Sequence, residues 1–325
     1  MVKIKKLIAI GALSIFAFSA VGCEMIQKTP EAIKNTVLAK VGDLKITRGD
    51  VDELADPYLQ QYGADYDTNT QIADQVKELR IQAINLLVEQ KLMYKKAEEL
   101  GVLPTEEEVK AETEKYIESQ KETFGGEDAF NTALENAGMT LDEYKEKLNK
   151  NMKDSLIGAK VTEEIFKDVS VSDEEMQKYY DEHLDSYKSA TVSHILIKDE
   201  AKAKEIREKA VNGEDFATLA KENSEDTGTK DNGGSLGTVT YDTTNYVQEF
   251  TDAFKALGEG EISEPVQSTY GYHIIKVTDI KQKTLDEAKD SIKSTLENDK
   301  KNELYTSSIE QWKKDYKVKT YENRL

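Results

Sequence analysis

Hydrophobic spacing divides this chain into three zones. Leu7–Val21 is predominantly apolar and follows Lys3, Lys5 and Lys6. A bilayer span needs about 20 apolar residues, so this run is short for one and suits the core of a secretory leader over 1–22. The second zone has helical period. Ile81, Ile84, Val88 and Leu92 fall on one stripe of an Asp74–Leu100 helix, widened by Leu87 and Met93 and stopped by Gly101. Further helix starts are marked by Thr105 with Glu108, Thr140 with Glu143, Ser172 with Glu175 and Thr284 with Glu287, each spaced as a capping box. Thr47 begins another helix with Asp50 placed to bond back. Gly125-Gly126 breaks the run.

The third zone has period two. Thr191–Ile197 and Gly271–Val277 read as strands. Val192, His194 and Leu196 share a face of the first; His273, Ile275 and Val277 share a face of the second. If the strands are neighbours, the two imidazoles meet. Between them the spacing predicts helices over Ala201–Val211, Glu214–Asn223 and Phe250–Gly258, and a turn-rich run over Ser224–Gly237 that holds four glycines. Outside this zone, Thr36–Val41 and Leu44–Ile46 read as strands, as does Tyr316–Tyr321. Pairing of Tyr316–Tyr321 with Thr36–Val41 would join the chain ends. The expected fold class is α+β: a small antiparallel sheet with flanking helices, inserted into a mostly helical domain built from both chain ends.

Composition narrows the chemistry. The chain is 33% charged with a net charge of −19, which argues against nucleic acid, whose phosphates need clustered Lys and Arg. One cysteine leaves no internal disulfide and no thiolate metal site, and three histidines leave no zinc cluster. Asp65–Thr70 looks like the start of a calcium loop, but it lacks the sixth-position glycine, and Val76 stands where the bidentate Glu belongs. No metal and no cofactor is expected.

Several pieces of the third zone, in order, resemble the parvulin family of peptidyl-prolyl cis/trans isomerases: Ser193–Leu196 (S-H-I-L), Gly213–Ala220, Ser224–Asp226, Gly233–Gly237 (G-G-S-L-G), Phe250 with Phe254, Ser263–Val266 and Gly271–Lys276 (G-Y-H-I-I-K). The resemblance implies an isomerase domain over 189–281. It makes His194 and His273 the paired histidines at the base of the site, in an orienting role, with Ser268 extending their network. It puts Asp226 near the reacting carbonyl, and Leu236 and Phe250 in the proline pocket, where Tyr246 replaces a usual Met and Val239 a common aromatic. Asp226 before Thr-Gly also fits a plain turn, and Phe250 with Phe254 also fits ordinary core spacing. The loop after His194 mixes Lys198, Lys202 and Lys204 with Asp199 and Glu200, so no phosphate-directed specificity is expected.

Ala20–Cys23 (A-V-G-C) resembles a bacterial lipobox, with lipidation expected at Cys23. Together with the strand–turn–helix opening, the Ile84–Gly101 helix and the inserted module, the chain is similar to PrsA-type foldase lipoproteins of Gram-positive bacteria. That resemblance implies a tether over 23–35 and a chaperone domain made of 36–188 and 282–325. It implies a lipid anchor on the outer face of the cell membrane and, as partners, unfolded or partly folded exported proteins, with a homodimer left open. The other reading is a binding-only chaperone whose parvulin module is catalytically weak, motivated by Tyr246 and Val239. A solute-binding lipoprotein is disfavoured, because repeated βα units are missing.

Overall fold

A computed structural model describes residues 29–63 and 66–325. The leader over 1–22 and the lipidation position Cys23 lie outside the described residues. The described residues divide into two compact units, one formed by those up to Val161 with Ile309–Leu325 and the other by Thr162–Ser308.

The first unit opens with a short helix, α1 (Pro30–Lys34), inside the segment expected to be a tether. The expectation is corrected by a local device: the Thr29 side chain accepts from Ala32 N, and Pro30, with its φ already fixed, takes the first helical position. Strands β1 (Val37–Val41) and β2 (Leu44–Thr47) form an antiparallel hairpin. Then come α2 (Arg48–Leu59), α3 (Ala73–Leu100), α4 (Glu106–Thr123), α5 (Glu127–Asn136) and α6 (Leu141–Phe166). Of the stripe read from spacing, helix α3 buries Ile84, Val88, Leu92 and Met93, while Ile81 and Leu87 are half-buried at its margins. It also buries Arg80, which is 5% exposed and tied to Asp52 and Asp67. Those carboxylates offset the desolvation of the guanidinium, which would otherwise cost several kcal/mol on the order of an unpaired buried ion.

The second unit begins within the last turns of α6, followed by α7 (Asp173–Glu182), capped by reciprocal bonds between Ser172 and Glu175. Its sheet has the order β4 (Ser235–Thr240), β3 (Lys188–Ile197), β6 (Gly271–Gln282), β5 (Val266–Ser268), and all three neighbour pairs are antiparallel. Alternation along β3 and β6 sorts the sheet into two cores. Ile195, Ile197 and Ile274 face α8 (Glu200–Val211) and α9 (Phe216–Asn223). Ala190, Val192, Ile275 and Val277 face α10 (Gln248–Ala256) through Phe250 and Phe254. This unit reaches beyond the 189–281 segment. Met176 on α7 packs with Ala288 and Ile292 on α11 (Leu285–Asp315), both nearly inaccessible, in a third small cluster. The chain then returns to the first unit, where β7 (Lys319–Thr320) pairs antiparallel with β1 (Ala39↔Thr320). The fold is α+β, and both chain ends contribute to one small sheet.

Candidate active site

Strand register sets the centre of the site. In the β3–β6 ladder, His194 lies opposite Ile275 and Leu196 opposite His273. The two histidines are therefore diagonal neighbours on one face, two residues apart in register. Their rings lie 5.4 Å apart between centroids and 20° from parallel, with Nδ1 facing Nδ1 at 3.2 Å. Each residue is only 6% exposed. This is the α10 side of the sheet, and Phe250 sets its ring edge-on to both, at 5.7 Å from His194 and 5.3 Å from His273.

The network continues past each ring. His194 Nε2 lies 2.8 Å from Asp226 Oδ2 and 3.1 Å from Thr229 Oγ1. The Thr229 hydroxyl donates to Asp226 Oδ2, and Gly228 N–H donates to Asp226 Oδ1 at 3.0 Å. On the other side, His273 Nε2 lies 2.8 Å from Ser268 Oγ, which also accepts from Tyr270 N–H at 3.1 Å. Asp226, His194, His273 and Ser268 thus form one continuous chain of hydrogen bonds across the sheet.

The loop carrying Asp226 is pinned to the strand carrying His194. Ser224 Oγ accepts from Leu196 N–H, Glu225 N–H donates to Leu196 O, and His194 N–H donates to Gly234 O at 2.8 Å. Gly234 has φ +77, and a Cβ there would fall 2.1 Å from the His194 carbonyl oxygen, so only glycine allows this approach.

Burial and bonding set the charges. Burial works to raise the Asp226 carboxyl, but hydrogen bonds from Thr229, His194 and Gly228 N–H outweigh it and hold the pKa below its ordinary value. Burial, followed by repulsion from His194, pushes His273 down to about 4 against the pull of Asp226 and Glu249. Near neutral pH the site holds an ionised carboxylate at one end and a neutral imidazole at the other.

Leu236, Tyr246 and Phe250 come together in the α10-side core. Phe250 is 2% exposed and floors the cluster, while Leu236 and Tyr246 are its half-exposed members, with the Tyr246 ring 5.1 Å from Phe250. Val239 is buried in the same core with Tyr241 and Phe254, so that departure falls on packing. Sequence reasoning missed Thr229, and it named Ser224 and Gly234 only as parts of the quoted motifs, without a role. The D-x-G-T turn at Asp226–Thr229 was the available signal, since an Asp that accepts from the amide two residues on leaves the following hydroxyl beside its carboxylate. Among the described residues no cluster of His, Cys, Asp and Glu could hold a metal ion.

Comparison with known proteins follows these divisions. Residues 171–290 match the family model of the PPIC-type PPIASE domain, and residues 2–156 that of the SurA-like N-terminal domain. A foldase protein PrsA of Clostridium botulinum (strain Langeland) is 39% identical over 337 residues, spanning 99% of this chain and 98% of that protein. One from Clostridium kluyveri is 40% identical over 329 residues, spanning 97% and 96%. Among solved structures, the peptidylprolyl isomerase PrsA of Bacillus cereus is 30% identical, spans 90% of this chain and 96% of its own, and superposes with a TM-score of 0.40.

Proposed function

The chain belongs to the PrsA family of foldase proteins and is a parvulin-type peptidyl-prolyl isomerase, and from that premise we propose that it is a lipid-anchored foldase acting on exported proteins outside the cytoplasmic membrane. The observation that carries the catalytic part of this reading is the unbroken chain Asp226–His194–His273–Ser268 beside the Leu236, Tyr246 and Phe250 cluster.

The reaction turns an X–Pro peptide bond through a barrier of about 18–20 kcal/mol without making or breaking a covalent bond. A twisted amide has lost its resonance, so its oxygen carries less negative charge and its nitrogen becomes pyramidal. Catalysis needs a site that favours this form over either planar one. In the proposed mechanism, Leu236 and Tyr246 hold the proline ring over Phe250, in apolar surroundings that suit the less polar twisted amide. The Asp226 carboxylate lies by the carbonyl and disfavours the planar form, whose oxygen is more negative. His194, His273 and Ser268 hold the floor in one orientation and transfer no proton to the substrate.

Holding of unfolded chains is assigned to the first unit. A groove of roughly 710 Å³ there is lined by Pro104, Val109 and Thr113 with Lys110, Lys145 and Lys153, and Tyr58, Tyr116 and Phe124 are exposed elsewhere on that unit. Membrane attachment is assigned to Cys23 by the A-V-G-C sequence that it closes. A protease-coupled assay on a proline tetrapeptide, run on the folded protein, is expected to show accelerated cis-to-trans conversion that is lost in Asp226→Ala. Conversion at the uncatalysed rate would refute the catalytic reading. In cells, Cys23→Ser is expected to release the protein from the membrane fraction, and retention there would refute the anchor.

A further inference from the structure

Thr229 has no part in the site as read from sequence, yet its hydroxyl stands where the hydrogen-bond chain takes its direction. A hydroxyl has one proton and two acceptor lone pairs. Two neighbours lie within reach: Asp226 Oδ2 and, at 3.1 Å, His194 Nε2. Donation to an ionised carboxylate is stronger than donation to a neutral imidazole nitrogen, so the proton goes to Asp226. Thr229 then presents lone pairs to His194 Nε2, as does Asp226 Oδ2 at 2.8 Å. With acceptors on both sides, Nε2 must carry a proton.

The rest follows along the chain. In the neutral Nε2–H form of His194, Nδ1 is an acceptor, so the 3.2 Å contact has His273 donating from its own Nδ1. His273 Nε2 is then an acceptor and takes the Ser268 hydroxyl proton across 2.8 Å in preference to the Gly271 carbonyl at 3.3 Å, while Ser268 Oγ accepts from Tyr270 N–H. In this arrangement the bonds along the chain run one way, from Tyr270 N–H through Ser268, His273 and His194 to Asp226. Thr229 is itself firmly placed, because its carbonyl accepts from Asn232 N–H and Gly234 N–H, and Gly234 is the residue that docks on His194.

We propose that Thr229 is a positioning residue of the isomerase site: by donating to Asp226 it keeps that carboxylate an acceptor facing His194 and so fixes the tautomers of both histidines. Its consequence for activity rests on the isomerase reading above; its consequence for the tautomers does not. The chain holds only three histidines, so their ring nitrogens can be assigned separately in the full-length protein by long-range proton–nitrogen NMR. Wild type is expected to show the Nε2–H form at His194 and the Nδ1–H form at His273. Thr229→Val is expected to mix the forms at both rings, leave the exposed His183 unchanged, and lower kcat/KM on a proline tetrapeptide by about tenfold, the scale of a lost hydrogen bond to a charged group. Thr229→Ser, which keeps the hydroxyl, is expected to restore both readouts. Wild-type His194 in the Nδ1–H form would overturn the proposal, whether or not any variant folds. So would Thr229→Val with unchanged tautomers and unchanged kcat/KM. If wild type turns over no prolyl peptide, the isomerase reading fails and the tautomers alone decide the role of Thr229.

Discussion

His273 shows how one buried imidazole ties the site to pH. Its environment, burial first and the neighbouring His194 second, brings its pKa down to about 4 from an ordinary 6.5. The folded protein therefore keeps the ring neutral through a pH range in which the unfolded chain protonates it. The stability linked to this group is intact above pH 6.5 and is lost as pH falls towards 4, by roughly 3 kcal/mol across that window. Asp226 acts in the same sense, because its depressed carboxyl also makes the folded state the poorer proton acceptor as acid is added. In an NMR titration the His273 ring resonances are expected to stay those of a neutral imidazole down to pH 5; a midpoint near the ordinary histidine value would show that the ring is not desolvated as described.

At the scale of elements, the loop from Asp226 to Gly234 is the joint that decides whether the histidines and the carboxylate meet. Gly234→Ala should force its new Cβ against the His194 carbonyl and occupy a left-handed φ, at a cost of about 2 kcal/mol or more. Hydrogen exchange in peptides covering Lys188–Ile197 should accelerate in this variant, and isomerase activity should fall with it. Unchanged exchange would mean that the loop is not what holds β3 at this point. What could be read in advance follows from range. Capping boxes at Thr105, Thr140, Ser172 and Thr284 are local, three residues apart, and each forms its reciprocal bonds. The facing of His194 and His273 followed from strand parity once their strands were taken as neighbours. Features that depend on distant partners were not legible. Burial of Arg80 needs Asp52 and Asp67, and the reach of the second unit past β6 needs Met176 against Ala288 and Ile292. An apolar stripe shows that a helix is covered, but not by which element.

Across the whole molecule, each of the two compact units has its own buried core, and the histidine pair lies in the second. In the first unit, Leu38, Val41, Ile46, Val88 and Leu92 are nearly inaccessible, and Trp312 is buried there with Lys96 over its ring. None of these contacts involves His194, His273 or Asp226. Replacing both rings, as His194→Ala with His273→Ala, should therefore abolish catalysed prolyl isomerisation while leaving Trp312 fluorescence at its wild-type emission. If the helical unit holds clients as proposed, the same double variant should still suppress aggregation of a denatured model protein at the wild-type stoichiometry. Substitutions of Lys110, Lys145 and Lys153 to Gln should do the reverse, weakening suppression while the proline tetrapeptide assay is unaffected. Loss of aggregation suppression in the histidine variant, with its Trp312 emission intact, would show that holding and isomerisation share one site, and the assignment of clients to the helical unit would have to be abandoned.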